Sequence, residues 1–141
     1  MQCKGGDGME AFEKELENPE NNRKECDVLI LGGGPAGLTA AIYTARAKLD
    51  TIIVDEGIVG GQVASTYQVA NYPGTDGVIK GIDLVNNMKK QAVDFGARID
   101  DMQALVKVEL SGDIKKISTG KTDYFARSVI IATGAAPRKL N

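Results

Sequence analysis

The chain contains short continuous apolar runs and also segments whose apolar residues recur at helical spacing. Residues 28–31 form a continuous apolar run, and residues 51–54 form a second run that is rich in β-branched side chains. Such runs are typical of central strands in a parallel sheet, which are buried on both faces. Residues 35–47 predict a helix between them, because Pro35 is tolerated in a first helical turn. This order predicts a βαβ unit.

A long loop and a second helix follow this unit. Residues 57–77 are rich in glycine and polar side chains, and a loop of this length inside a compact domain is usually functional or disordered. A helix is then predicted to end at Gly96. One face of this helix carries apolar residues at helical spacing, namely Ile82, Val85, Met88, Ala92 and Phe95.

Short alternating segments after this helix predict strands. Three antiparallel strands are predicted at residues 104–110, 114–118 and 122–126, with glycine-containing turns between them. Residues 128–132 predict one more buried strand. Together the elements predict an α/β fold, in which a parallel sheet with helices carries a three-strand β-meander crossover.

Residues 1–26 form a polar leader before the domain predicted at residues 27–141. Met9, Phe12 and Leu16 lie at helical spacing and predict a short helix within this leader. A helix this short is marginal in water when isolated. The leader therefore either docks on the domain or is disordered, and the sequence leaves both alternatives open.

Composition and charge exclude several classes of function. A chain of 141 residues with 43% hydrophobic residues is long enough for one domain with its own core. Its net charge of −2, without a basic block, argues against nucleic-acid binding. No apolar run has the length of a membrane span, and the N-terminus lacks a signal-peptide pattern, so we expect a cytoplasmic protein.

The chain has few residues that could carry catalysis or bind a metal. It contains no histidine, which excludes histidine-based triads and histidine metal sites. Cys3 and Cys26 are too far apart in sequence to form a C-x-x-C pair. We therefore predict no catalytic residue and no metal site in this chain, and interpret Cys26 as a small residue that leads into the first strand.

Three glycines follow the first predicted strand with the spacing G-x-G-x-x-G. Gly32 allows a tight turn, Gly34 allows the backbone to approach a pyrophosphate, and Gly37 allows the helix to pack closely on the sheet. Free N–H groups at the helix start would bind the phosphates. Asp55 lies 18 residues beyond Gly37, at the end of the second strand. This combination predicts a dinucleotide site in a Rossmann-like FAD/NAD(P)-binding fold; the alternative is a glycine turn that only joins a strand to a helix.

Asp55 also indicates which dinucleotide binds. A carboxylate at this position accepts hydrogen bonds from both ribose hydroxyls, whereas it would repel the 2′-phosphate of NADP. Glu56 adds a second negative charge beside it. The site is therefore predicted to bind FAD or NAD, and NADP is disfavoured.

Three segments together resemble one family. The segments GGGPAGLTAAIYTARA, GGQVASTYQVANYPG and IIATGA, in this order within residues 27–138, resemble the FAD-binding part of low-molecular-weight thioredoxin reductases. The resemblance implies that FAD contacts the glycine turn, an acidic ribose-binding position, a wrapping loop, an amide in the flavin pocket and a second turn. In this chain the matching residues are Gly32, Gly34, Pro35, Ala36, Gly37, Asp55, Gly60, Gly61, Gln62, Asn71, Thr133 and Gly134. For Gln62 and Asn71 the alternative is a turn residue that satisfies its own loop backbone.

The resemblance also implies an electron-transfer function. Members of the family pass electrons from NADPH to FAD, then to a cysteine pair and then to thioredoxin, and they are commonly homodimers. This chain ends at PRKLN, where the family inserts its NADPH domain, so we expect the cysteine pair, the NADPH site and the closing FAD segment to be missing. The isolated chain is then expected to be inactive and its domain incomplete. Apolar surface should be exposed near Ile130 and Ile131, so we expect poor solubility or self-association.

Three interpretations remain from the sequence. The chain is part of a thioredoxin-reductase-like flavoenzyme, or a FAD- or nucleotide-binding module that another chain completes, or a scaffold for protein interaction. The electron donor and the disulfide substrate are not indicated by these residues.

Overall fold

The computed structural model describes residues 22–135 as a mixed α/β unit, which confirms the predicted fold class. The strands are β1 (Asn22–Leu31), β2 (Thr51–Val54), β3 (Arg98–Asp100), β4 (Leu105–Glu109), β5 (Lys115–Thr119) and β6 (Thr122–Ile131). The helices are α1 (Pro35–Arg46), the one-turn α2 (Gly61–Ala64) and α3 (Gly81–Asp94).

The strands form one six-stranded sheet in the order β3-β2-β1-β6-β5-β4. Strands β3, β2, β1 and β6 are parallel, whereas β4 and β5 are antiparallel to their neighbours. Ile30 of β1 is paired with Ile53 on one side and with Ile130 on the other. The carboxyl ends of β1, β2 and β6 therefore meet at one edge of the sheet.

Helices α1 and α3 cover one face of the sheet. The core on this face is formed by buried residues of β1, β2 and both helices: Val28, Ile30, Leu38, Ala41, Ala45, Ile53, Leu84, Val85, Met88 and Ala92. Of the predicted buried face of α3, Ile82 and Phe95 are instead 45% and 44% exposed. Ile82 lies in the first turn and Phe95 is the C-cap, so neither faces the sheet as the residues in the middle of the helix do.

Strands β4 and β5 and the first half of β6 fold over the other face of the sheet. Ile117 and Tyr124 from this layer are fully buried against Leu29, Leu31 and Ile52. The predicted β-meander is therefore present, but its last strand differs from the prediction. Residues 122–126 and 128–132 are not two strands, because β6 runs without a break from the meander into the parallel part of the sheet.

Strands β6 and β1 have the same length and are paired from end to end. Strand β1 begins at Asn22 and is paired with β6 from Asn22↔Thr122 to Leu31↔Ile131. Residues 22–26, which the sequence assigns to the leader, thus belong to the sheet. The predicted leader helix falls on residues 1–21, which lie outside the described part of the chain.

The end of β6 is less buried than its apolar sequence predicts. Ile131 is 63% exposed, Ser128 is exposed, and Val129 and Ile130 are partly buried. Residues 128–132 are therefore not a buried strand, and apolar surface is exposed at Ile131 as the resemblance implies. Within residues 22–135, no helix is long and apolar enough to cross a membrane.

Cys26 lies in the middle of β1 and is half-buried. Burial, together with the carboxylates of Asp50 and Asp27, raises the pKa of the Cys26 thiol to about 11, against a smaller lowering by Arg98. At neutral pH this thiol is protonated and a poor nucleophile. The sequence interpretation that Cys26 leads into the first strand is therefore wrong, because pairing with β6 extends β1 back to Asn22.

We predict that Cys26 in a Cys3→Ser variant titrates with a midpoint near pH 11, measured by the carbon-13 chemical shift of its Cβ in protein labelled at cysteine. The same titration in denaturant should return an ordinary midpoint of about 8.5. Because the folded-state pKa is raised, the stability linked to this group is present below about pH 8.5 and is lost as the pH rises through the folded pKa. A midpoint near 8.5 in the folded chain would show that the thiol is not desolvated.

Candidate functional site

The candidate site lies where the carboxyl ends of β1, β2 and β6 meet. Strand order reverses here, since the chain continues from β1 to β2 on one side while β6 lies on the other, and ligands of open α/β sheets bind in such a crevice. Two cavities of about 380 Å³ and about 250 Å³ open at this edge. They share Gly32, Asp55 and Thr133, so they form one continuous groove.

Most predicted site residues line this groove. The larger cavity is lined by Gly32, Gly34, Pro35, Ala36, Asp55, Gly61, Gln62, Val63, Ala132, Thr133, Gly134 and Ala135. The smaller cavity is lined by Gly32, Val54, Asp55, Glu56, Leu105 and Thr133. Of the predicted residues, Gly37, Gly60 and Asn71 do not line either cavity.

The first and third glycines of the turn are required by the fold. Gly32 has a φ of +105°, and a side chain there would overlap the carbonyl group of Ala132. A side chain at Gly37, which is buried, would overlap the carbonyl oxygen of Gly32. These two positions bring α1 close to the end of β1, as the sequence predicts.

Gly34 has a different role, because the fold does not require glycine there. Its φ is −73°, and the nearest atom to a Cβ at this position would be Cα of Gly61, at 4.0 Å. Gly34 lines the larger cavity and is the N-cap of α1. The missing side chain therefore leaves the start of the helix open to a ligand.

The start of α1 is suited to an anion. No side chain caps it, no acidic residue lies in its first turn, and Pro35 at the first position has no N–H group. The remaining N–H groups of a first turn have no partner within the helix, and they carry the positive end of the helix dipole. Since Gly34, Pro35 and Ala36 line the larger cavity, a phosphate there would meet these donors.

The carboxylate of Asp55 connects the end of β2 to the glycine turn. Its Oδ2 accepts a hydrogen bond from the N–H of Gly33 at 2.5 Å, and its Oδ1 accepts one from the N–H of Gly57 at 2.8 Å. An ionised carboxylate has about four acceptor positions, so two remain for ligand hydroxyls. Asp55 thus orders the turn as well as lining both cavities.

Glu56 places a second carboxylate at the smaller cavity. Its side chain is exposed, and Oε1 accepts a long hydrogen bond of 3.4 Å from the N–H of Leu105. Asp55 and Glu56 are the only ionisable residues that line the groove within the described chain. This end of the groove is therefore suited to hydroxyl groups and unsuited to a phosphate.

The loop after β2 docks directly on the glycine turn. The N–H of Gly60 donates to the carbonyl of Gly33 at 2.9 Å, and the buried side chain of Val59 occupies the space where Gly33 lacks a side chain. Gly61 has a φ of +58°, and a Cβ there would lie 3.1 Å from Cα of Gly34. Gly60 therefore fixes the loop to the glycine turn without lining the groove, while Gly61 lines the groove opposite Gly34.

Gln62 and Asn71 differ in where they lie. Gln62 lines the larger cavity, and its Nε2 donates to the carbonyl of Ala135, which closes the groove between the loop and the chain after Gly134. Asn71 is exposed in a loop that is held by an antiparallel bridge between Val69 and Ile79. The structure does not bring Asn71 to the described groove.

Several lining residues were not among the predicted site residues. Val54, Val63, Leu105, Ala132 and Ala135 contribute apolar side chains or backbone to the walls. Leu105 reaches the groove only because β4 folds over the sheet, and this contact is not encoded by a local motif. Among residues 22–135, no three His, Cys, Asp or Glu side chains are placed to hold a metal ion. The groove thus combines an uncapped helix start at one end with two carboxylates at the other.

Comparison with known families agrees with this geometry. The family profile described as pyridine nucleotide-disulphide oxidoreductase matches residues 26–141. The thioredoxin reductase of Peptoclostridium acidaminophilum is 51% identical over 112 residues, which cover 79% of this chain and 35% of that protein. A "34.2 kDa protein in rubredoxin operon" of Clostridium pasteurianum is 47% identical over 117 residues, which cover 83% of this chain and 38% of that protein.

A solved structure shows the same fold. The thioredoxin reductase from Gloeobacter violaceus superposes with a TM-score of 0.77 at 40% identity, over 83% of this chain and 39% of that one. The chain thus spans 35% and 38% of the lengths of the two curated relatives. With the family profile matched from residue 26 to residue 141, the chain belongs to the pyridine nucleotide-disulphide oxidoreductase family, and its relatives include thioredoxin reductases.

Proposed function

We propose that these residues form the FAD-binding portion of a thioredoxin-reductase-like flavoprotein. The observation that carries the proposal is the uncapped start of α1, which opens through Gly34 into a cavity that the Asp55 carboxylate also lines. A dinucleotide contains a pyrophosphate next to a ribose. The helix start supplies hydrogen-bond donors for the pyrophosphate, and the Asp55 carboxylate supplies acceptors for the ribose hydroxyls.

The groove has the space and the chemistry that FAD requires. The first-turn N–H groups of α1 would bind the pyrophosphate, and the absence of side chains at Gly34 and Gly61 leaves room for it. Asp55 and Glu56 would accept hydrogen bonds from the adenosine ribose in the smaller cavity. FAD, when bound, supplies the redox chemistry that the side chains here lack.

The two carboxylates favour a cofactor without a 2′-phosphate. A 2′-phosphate beside Asp55 and Glu56 would meet like charge with no arginine lining the cavity. In the larger cavity, Gln62, Thr133 and Gly134 would contact the part of FAD beyond the pyrophosphate. A flavin contact for Asn71 stays a prediction.

The activity of a whole protein containing this chain is part of the proposal. Electrons would pass from a reduced nicotinamide, or another donor, through FAD to the disulfide of a thioredoxin-like protein. The part assigned to this chain is binding and orientation of FAD. NADPH binding and disulfide chemistry are not assigned to the residues that line this groove. A homodimeric state and a cytoplasmic location stay predictions.

We expect the full chain to bind FAD, and Asp55→Ala to weaken that binding by about 10- to 150-fold, or about 1.5–3 kcal/mol for a charge-assisted hydrogen bond. The measurement is a titration of FAD followed by its visible absorption and fluorescence. Asp113→Ala serves as the control, since Asp113 lies in an exposed turn away from the groove. Unchanged affinity in Asp55→Ala would refute the ribose assignment. A wild-type chain that binds no flavin would mean that another segment is needed to close the site.

Gly34→Ala and Gly37→Ala form a matched pair with opposite expected effects. Gly34→Ala should keep the wild-type melting temperature but lower FAD affinity by about tenfold or more, because its methyl group enters the ligand's approach. Gly37→Ala should lower the melting temperature, because its methyl group overlaps the Gly32 carbonyl inside the fold. Calorimetry and FAD titration of both variants would check this. Normal FAD binding by Gly34→Ala would count against the helix start as the phosphate site.

A further inference from the structure

A polar cluster outside the groove joins three strands on the meander side of the sheet. The Nζ of Lys24 in β1 lies 2.6 and 2.9 Å from the two carboxylate oxygens of Asp100, the last residue of β3. The hydroxyl of Tyr124 in β6 donates to Oδ2 of Asp100 at 2.9 Å. None of these three residues lines the described cavities.

The main chain of Asp100 and the residues after it runs alongside Asp55. The N–H of Asp55 donates to the carbonyl of Asp100 at 3.1 Å, and the carbonyl of Asp55 accepts from the N–H of Gln103 at 2.9 Å. The N–H of Met102 also donates to the carbonyl of Gly57 at 3.1 Å. Both the N–H and the carbonyl of Asp55 are therefore hydrogen-bonded to residues 100–103.

We propose that Asp100 is a positioning residue for the ribose-binding carboxylate of Asp55, anchored for this role by Lys24 and Tyr124. The proposal rests on the proposed FAD site and adds a residue that does not touch the ligand. Asp100 holds the Asp55 backbone through its carbonyl while its own side chain is fixed to β1 and β6. The direction of the Asp55 carboxylate toward Gly33 follows from this attachment.

The three side chains of this cluster are largely shielded from solvent. The side chains of Lys24 and Asp100 are only 30% and 17% exposed, and Tyr124 is fully buried. Burial, and then the hydrogen bond to Asp100, raise the pKa of Tyr124 above its ordinary value, so its hydroxyl stays protonated and donates at neutral pH. If Asp100 loses its charge, Lys24 is left as an uncompensated, partly buried charge. We expect the segment that carries Asp100 to move in response.

A small shift here matters because hydrogen bonds depend steeply on geometry. Oδ2 of Asp55 is 2.5 Å from the Gly33 nitrogen, and a displacement of about 0.5 Å changes such a contact and the position of the ribose acceptor. Removing the Asp100 charge should therefore affect recognition of ribose hydroxyls more than recognition of phosphates, which bind at the start of α1.

The experiment compares ADP with 2′-deoxy-ADP as ligands of the full chain. In the wild type, ADP should bind more tightly by about tenfold or more, the effect of one hydrogen bond to a carboxylate. In Asp100→Asn this preference should fall below about twofold, while affinity for 2′-deoxy-ADP stays unchanged. Asp100→Glu should restore part of the preference. Asp94→Asn is the matched control, since it removes an exposed ion pair with Lys90.

Tyr124→Phe provides a second variant that keeps the Lys24–Asp100 pair. We expect Tyr124→Phe to reduce the preference for ADP over 2′-deoxy-ADP by less than Asp100→Asn does. A direct readout needs no ligand: the amide proton resonance of Gly33, which donates to Asp55, should move in Asp100→Asn and Tyr124→Phe and stay fixed in Asp94→Asn.

The outcomes separate the positioning role from its alternatives. If Asp100→Asn lowers the affinities for ADP and 2′-deoxy-ADP by the same factor, Asp100 only stabilises the fold, and the proposal is overturned. An unchanged ADP preference and an unmoved Gly33 resonance would overturn it as well. If the wild type binds neither ADP nor FAD, the proposed function fails first, whereas the Gly33 resonance still reports whether Asp100 positions Asp55.

Discussion

The hydrogen bond from the N–H of Gly33 to the carboxylate of Asp55 is the interaction on which the candidate site depends. It joins the turn after β1 to the end of β2, and the loop that follows β2 then returns to the same turn through Gly60. Close packing at Gly37 allows this arrangement, because the helix can approach the strand end only without a side chain there. The helix start, the carboxylate and the loop therefore form one rigid unit around the groove.

The layer of β4, β5 and β6 supports this unit from the opposite face of the sheet. Leu105 reaches the groove from β4, and the segment before it carries the hydrogen bonds that hold Asp55. The cluster of Lys24, Asp100 and Tyr124 connects that segment to the two long central strands. The meander is thus part of the architecture of the binding edge.

The local features of the site were predictable from the sequence, whereas its tertiary contacts were not. The spacing of Gly32, Gly34 and Gly37 indicates a turn because each glycine meets a steric requirement within one strand–helix connection. The strand β3 has only three residues and no apolar run, so its pattern gives no signal. The extension of β1 through residues 22–26 is polar and partly exposed, and only pairing with β6 makes it a strand. The bond between Asp55 and Gly33 joins residues that are distant in sequence, and no periodicity encodes it.

The most direct test of the central claim is an amide chemical-shift map of the full chain during titration with FAD. Binding as proposed should perturb the amides at the start of α1, at Asp55 and Gly57, at Gly61 and Gly134, and at Leu105, with little change in the turn between β4 and β5. Perturbation confined to other surfaces, or no perturbation at concentrations that saturate known flavoproteins, would contradict the assignment of this groove as the FAD site.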